Sequence, residues 1–263
     1  MAEDGSPPQD DARFAAWLAE RAGALLLALR EELGHTDPKA LRDAGDQRSH
    51  ELLMEAFAAW RPDDAVLSEE GADDPARLDA ERVWIVDPLD GTREYSEEGR
   101  TDWAVHVALW RRGVPAPGLV AGAVALPAQG VVLASDRAAP ARAEAGGAIR
   151  IAVSRTRPPE FMAALASELG AELVPMGSAG AKVCAVAQGT VEAYVHAGGQ
   201  YEWDSAAPVS VALATGHYAS RLDGSTLEYN RPDPMLPDLV VCRPDIAPRL
   251  LAALKEVVNG AQQ

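Results

Sequence analysis

Residues Val83-Trp84-Ile85-Val86-Asp87-Pro88-Leu89-Asp90-Gly91-Thr92 constrain this chain more than any other stretch. The first four are apolar and mostly β-branched or aromatic, which predicts a buried strand stopping where Pro88 removes a backbone donor. Asp87 and Asp90 then flank one sharp turn, with the Leu89 carbonyl between them. An oxygen-only set of this kind suits a hard cation such as Mg2+ better than zinc. Gly91 and Thr92 read as the entry to a helix, whose free N–H groups and positive dipole end favour a phosphate. Asp-Pro and Asp-Gly are also common turn formers, and taken alone the stretch more often marks an ordinary strand-ending turn.

Its company shifts that balance. Ser68-Glu69-Glu70 closes the apolar run Ala65-Val66-Leu67, and Glu202-Trp203-Asp204-Ser205-Ala206-Ala207 stands far downstream at an expected helix start. With these three motifs in this order, the chain resembles the inositol monophosphatase-like, lithium-sensitive phosphatases over nearly its whole length. The resemblance implies an α/β (α+β) fold, layered as the αβαβα sandwich of the sugar phosphatases. It also implies that Glu69, Asp87 and the Leu89 carbonyl hold one Mg2+, that Asp87, Asp90 and Asp204 hold a second, and that a third sits near Glu69. Glu70 reads as a solvated neighbour. Thr92, oriented by Asp46 or Glu69, is implied to accept a hydrogen bond from the attacking water, with Asp46, Glu69 and Thr92 as the catalytic set and lithium competing at a magnesium position.

Finer marks point to one branch of that family, the CysQ-type 3'(2'),5'-bisphosphate nucleotidases. Thr92-Arg93-Glu94-Tyr95 resembles the branch's Thr followed by Lys/Arg-Glu-Phe, Val153-Ser154-Arg155 its Ile-Ser-Arg, Lys182-Val183-Cys184 its Lys-Phe-Cys, and Leu227-Glu228-Tyr229 its Leu-x-Tyr. The implied activity is Mg2+-dependent removal of the 3'-phosphate of 3'-phosphoadenosine 5'-phosphate, linked to sulfate assimilation, with Gly91, Thr92, Ser154, Arg155 and Lys182 binding the substrate. Two departures accompany it. Ala197 stands where inositol monophosphatases carry a Glu, and Ser178-Ala179-Gly180-Ala181-Lys182 replaces the branch's Gly-Ser-Ser-x-Lys. The alternatives are a broader phosphatase of inositol 1-phosphate or fructose 1,6-bisphosphate and a non-catalytic phosphonucleotide sensor.

Charge narrows the partners. A formal net charge of −16 argues against a nucleic acid polymer, which needs a basic stripe. It also repels a phosphorylated nucleotide or sugar phosphate, so the site must be locally positive, and divalent cations are the natural means. No apolar run approaches the roughly 20 residues of a membrane span, and the two cysteines, Cys184 and Cys242, sit in apolar runs. The expectation is a cytoplasmic protein without a membrane partner, with a homodimer as the assembly to test. None of the five histidines has a second His or Cys at zinc-ligand spacing, and all read as structural or exposed. A Gly-rich phosphate loop and a Gly-x-Ser-x-Gly elbow are both missing, which removes support for P-loop and serine esterase chemistry.

Along the chain, residues 12–33 show helical spacing ending at Gly34, and Asp46 is expected to cap a second helix running to Trp60. Short alternating segments over 103–134 predict an antiparallel sheet, and from 149 onward helices and strands alternate to a last helix at 246–258. Residues 1–10 read as a disordered tail. The remainder divides softly, near 137–148, into an N-terminal metal-binding half (11–140) and a C-terminal α/β half (141–263) packed as one globular unit.

Overall fold

A computed structural model describes residues 6–113, 118–137 and 147–260. Helix α1 (Asp11–Leu33) is capped by Asp10, whose carboxylate accepts from the Arg13 N–H at 3.0 Å, and closes at Gly34 with φ 64°. Residues 1–5 of the expected tail lie outside the described residues. Residues 8 and 9 are held by the Arg61 guanidinium, which donates to their carbonyls, so the tail's last residues are part of the fold.

Helix α2 (Pro38–Trp60) starts eight residues before the expected cap. Asp37 is the cap, accepting from the N–H groups of Lys39 and Ala40, and Pro38 occupies the first helical position, where its missing donor costs nothing. Leu41, Gly45, Ser49, Leu53 and Phe57 form one buried stripe at helical spacing, and Gly45 conceals it from a propensity reading. A Cβ on Gly45 would lie 2.7 Å from the Tyr95 ring, so the glycine is what lets the helix approach. Asp46 is therefore an interior helix residue rather than a cap.

Strands β1 (Ala65–Ser68), β2 (Arg82–Asp90), β3 (Ala104–Arg111), β4 (Gly118–Leu126) and β5 (Val131–Ala134) form one sheet in that order. β1 pairs parallel to β2, and the other neighbours are antiparallel. β2 does not stop at Pro88. Its register against β3 shifts between Asp87 and Asp90, so the proline falls in a bulge and needs no ladder donor. The short helix α3 (Thr92–Ser96) follows directly.

The second sheet runs β7-β6-β8-β10-β9, built from β6 (Arg150–Ser154), β7 (Glu172–Met176), β8 (Ala193–Tyr201), β9 (Tyr218–Ser220) and β10 (Met235–Cys242). The intervening helices are α4 (Met162–Leu169), α5 (Ala179–Ala187), α6 (Glu202–Ala214) and α7 (Ala247–Gly260). Most of the expected 137–148 connection lies outside the described residues.

Burial arranges these elements in five layers. Trp84 and Val86 face α1 and α2, while the alternate residues Val83 and Ile85 face α5 and α6, which is why β2 reads as a continuous apolar run. In the second sheet Ala152, Tyr194 and Val241 face α5 and α6, and Ile151, Val153 and Val240 face α4 and α7. The central helices are covered on both sides, so they are made of small residues. At Gly122 of β4 a Cβ would come within 2.5 Å of Ser210 on α6. The expected αβαβα order is the observed one.

Candidate active site

Asp87 and Asp90 are delivered by the bulged end of β2, and Asp204 by the first turn of α6. Their oxygens lie within 4.8 Å of one another. Each carboxylate is aimed by donors of its own. The Leu89 N–H donates to Asp87 Oδ1 at 2.9 Å, and the Tyr201 N–H to Asp204 Oδ2 at 2.7 Å. Asp90 accepts from the Ser178 hydroxyl at 2.5 Å and from the N–H groups of Ala179 and Gly180 at 3.1 and 2.7 Å, so it also caps α5. Glu69 follows β1, brought alongside β2 by parallel pairing, close enough for its charge to act on Asp87.

Like charges crowded away from water resist ionisation. Burial and then Glu69 push the Asp87 carboxyl well up. Burial and then Asp90 raise Asp204 to about 6. Glu69 keeps an exposed side chain at the rim, yet the surrounding protein and then Asp204 raise it to about 8. Asp90 goes the other way: burial opposes its charge, but His106, the Ser178 hydroxyl and Lys182 bring it down to about 2. One buried oxygen of the cluster, Asp87 Oδ2, has no hydrogen-bond partner. An orphaned carboxylate oxygen among mutually repelling carboxylates fits a hard divalent cation.

The turn after Asp90 is held tightly. Gly91 adopts φ 84°, which favours glycine, and a Cβ there would lie 3.0 Å from that of Ser178. Thr92 Oγ donates to the Leu89 carbonyl at 3.2 Å and is within hydrogen-bond reach of the Asp46 carboxylate. Burial, and then Glu70, raise Asp46 to about 7. Asp46 can thus take or give a proton near neutral pH.

A cavity of about 520 Å3 opens above the cluster. Ser154, Arg155 and Lys182 line it together with the acidic residues, as do Arg93 and Arg157. The first three are already engaged. Arg155 places Nε on Glu94 and Nη2 on Glu97, each at 2.6 Å. Lys182 donates Nζ to the Gly177 and Ser178 carbonyls at 3.1 and 2.6 Å, and Ser154 Oγ accepts from the Arg157 N–H at 3.1 Å. Arg93 and Arg157 are exposed, and neither guanidinium has an ion pair among the described residues.

A family model described as the inositol monophosphatase family matches residues 11–259. The chain belongs to this family. Among curated relatives, a Mycobacterium leprae protein named 3'-phosphoadenosine 5'-phosphate phosphatase is 56% identical over 255 residues, covering 94% of each chain. An Escherichia coli protein named 3'(2'),5'-bisphosphate nucleotidase CysQ is 30% identical over 230 residues, covering 81% of this chain and 91% of its own. Among solved structures, the Mycobacterium tuberculosis SuhB protein superposes with a TM-score of 0.71 at 25% identity, covering 95% of this chain and 98% of its own. A Staphylococcus aureus inositol monophosphatase superposes with a TM-score of 0.74 at 22% identity over 90% and 92% of the two chains, a likeness of fold.

Within this family frame the structure adds residues that sequence reasoning passed over. His106, expected to be structural or exposed, is completely buried in the acidic cluster, with Nε2 3.2 Å from Asp90 Oδ2. Its signal was a lone polar residue inside the apolar run Trp103–Leu109. Glu94 was matched only as part of a motif, and it is the buried partner that holds Arg155.

Proposed function

We propose that this family member is a Mg2+-dependent phosphatase that removes the 3'-phosphate of 3'-phosphoadenosine 5'-phosphate, leaving AMP and phosphate, and that it works in the cytoplasm as part of sulfate assimilation. The observation that carries the reading is the near full-length likeness to the Mycobacterium leprae protein of that name. The acidic cluster supports it, and so do the cationic side chains that line the same cavity. The buried, unpaired thiols of Cys184 and Cys242 are in keeping with a reducing compartment.

Asp87, Asp90, Asp204, Glu69 and the Leu89 carbonyl would hold the magnesium ions. When bound, Mg2+ supplies charge neutralisation at the phosphoryl oxygens and at the leaving oxygen. The chain's own groups do the rest. Thr92 turns its one hydroxyl hydrogen from the Leu89 carbonyl to Asp46 and offers its oxygen to a water on the cluster side of the cavity. Asp46, poised near neutrality, accepts the proton relayed through that hydroxyl. The turn at Gly91 brings backbone N–H groups close to the reacting phosphate.

A bisphosphate nucleotide carries a second phosphate that the acidic cluster cannot hold. Ser154, Arg155 and Lys182 shape the wall on which it rests. The guanidiniums of Arg93 and Arg157, which no carboxylate of the described residues neutralises, supply the charge that meets it.

The test is phosphate release by the purified protein with Mg2+, measured side by side on 3'-phosphoadenosine 5'-phosphate, inositol 1-phosphate and fructose 1,6-bisphosphate. The expected result is a kcat/KM for the bisphosphate nucleotide at least tenfold above the others. A preference for either sugar phosphate would overturn the assignment.

A further inference from the structure

His106 lies where three elements of the site meet. It is a fully buried residue of β3, and its Nδ1 is 3.0 Å from the Trp203 carbonyl, the peptide unit that leads into Asp204. A carbonyl only accepts, so this contact fixes a proton on Nδ1. Across the ring, Nε2 stands 3.2 Å from Asp90 Oδ2 without the alignment of a full hydrogen bond. The ring edge rests on Gly180, where a Cβ would come 2.0 Å from Nε2. The Gly180 N–H is one of the donors that hold Asp90.

One imidazole thus touches the start of α5, the start of α6 and the bulged end of β2. Asp90 and Asp204 come from different elements 114 residues apart, reckoned as 204 less 90. No hydrogen bond between the two is found among the described residues, and each is tied locally, Asp90 to the start of α5 and Asp204 to Tyr201. His106 is the side chain that reaches both ends. A residue without a donor here would remove the Nδ1–H bond to the Trp203 carbonyl, and with it the side-chain tie between the first turn of α6 and the bulged end of β2.

We propose that His106 is a positioning residue which sets the spacing between Asp90 and Asp204 and so tunes the affinity of the cluster for a divalent cation. The proposal rests on the phosphatase reading for its biological meaning, but its physical content concerns cation binding alone. A packing role by itself would need only the ring's volume, whereas this role needs the donor at Nδ1.

Titration calorimetry with Mg2+ in the absence of substrate tests it on His106→Ala, His106→Leu and His106→Asn, with melting temperatures measured in parallel. Groups that orient metal ligands typically change metal affinity about 10- to 100-fold. His106→Leu, which fills space but donates nothing, should weaken Mg2+ binding by that factor even where its melting temperature matches the wild type. His106→Asn, whose amide can donate to the Trp203 carbonyl, should recover most of the affinity, and it carries the test if His106→Ala fails to fold. In turnover assays the Mg2+ concentration for half activation should move with the calorimetric constant, while kcat at saturating Mg2+ changes far less. The proposal is overturned if His106→Leu binds Mg2+ within twofold of the wild type, if His106→Asn is no better than His106→Leu, or if the wild type binds no Mg2+. Wild-type protein that binds Mg2+ yet releases no phosphate would sink the phosphatase reading and leave the calorimetric comparison standing.

Discussion

Asp87 carries an unfavourable electrostatic load: it is buried, repelled by Glu69, Asp90 and Asp204, and left with one oxygen unpartnered. Such a residue serves the loaded site and burdens the empty one. Asp87→Asn keeps the size and removes the charge. Metal charge stabilisation is worth several kcal/mol, so activity should fall roughly a thousandfold or more at saturating Mg2+. The same variant, freed of a repelling carboxylate, should melt no lower than the wild type in chelator. Retention of a tenth of the turnover would sink the role given to Asp87. A second residue-scale prediction concerns the cations that line the cavity. A charge-assisted hydrogen bond is worth about 1.5–3 kcal/mol, so Arg93→Ala or Arg157→Ala should lower kcat/KM for 3'-phosphoadenosine 5'-phosphate roughly ten- to a hundredfold. Adenosine 3'-phosphate, which lacks the second phosphate, should be hydrolysed almost as before. Arg155→Ala loosens the same wall by releasing Glu94 and Glu97, and it too should cost the bisphosphate nucleotide more than adenosine 3'-phosphate. Equal losses on both substrates for the first two variants would remove them from the second-phosphate site.

At the scale of elements, the site is a meeting of helix and strand ends, held close by residues without side chains. Gly91, before α3, lies against Ser178, before α5, and a Cβ on Gly177 would fall 2.2 Å from Glu94 Cγ. The substitution Gly91→Ala incurs the left-handed backbone penalty of about 1–2 kcal/mol, together with a contact that must open. A shift of that size should lower the melting temperature by roughly 2–8 °C for a chain of this length. Thr92 is the next residue, so kcat should drop as well. Unchanged melting of the Gly91→Ala variant by calorimetry would show that the turn tolerates a side chain and that the close approach is not required. The bulge in β2 belongs to the same scale, because it lets Pro88 lie within a strand while turning Asp87 and Asp90 to one side.

Over the whole molecule, net charge and the acidic cluster act in the same direction. Asp46, Asp204 and Glu69 have folded-state values of about 7, 6 and 8, against ordinary values of 3.8, 3.8 and 4.5. The folded protein without metal therefore binds more protons than the unfolded chain between those limits, and stability falls as pH rises through that window. In chelator the melting temperature should rise as pH is lowered from about 8 to about 6. On the proposed function Mg2+ would bind only the folded cluster, so it should stabilise most at the high-pH end and flatten or reverse this slope. A melting temperature that is lower at pH 6 than at pH 8 in chelator, or one indifferent to Mg2+ at pH 8, would contradict the charge assignment.

The sequence by itself determined the family, the order of most helices and strands, and the identity of the acidic residues. Those features are written locally: a doubly buried strand is a continuous apolar run, and the acidic residues stand in three short motifs that can be recognised before the fold brings them together. What only the tertiary structure decided depends on distance in space. Asp46 sits inside α2 because Gly45, a poor helix former, is needed for contact with Tyr95, which the chain meets fifty residues later, 95 less 45. Arg155 and Lys182 carry charge in the sequence, but their partners Glu94, Glu97 and the carbonyls of Gly177 and Ser178 are set by packing. His106 shows the limit most plainly. A single histidine has no spacing signal, and its place between Asp90 and the Trp203 carbonyl exists only once β3 has been laid against the starts of α5 and α6.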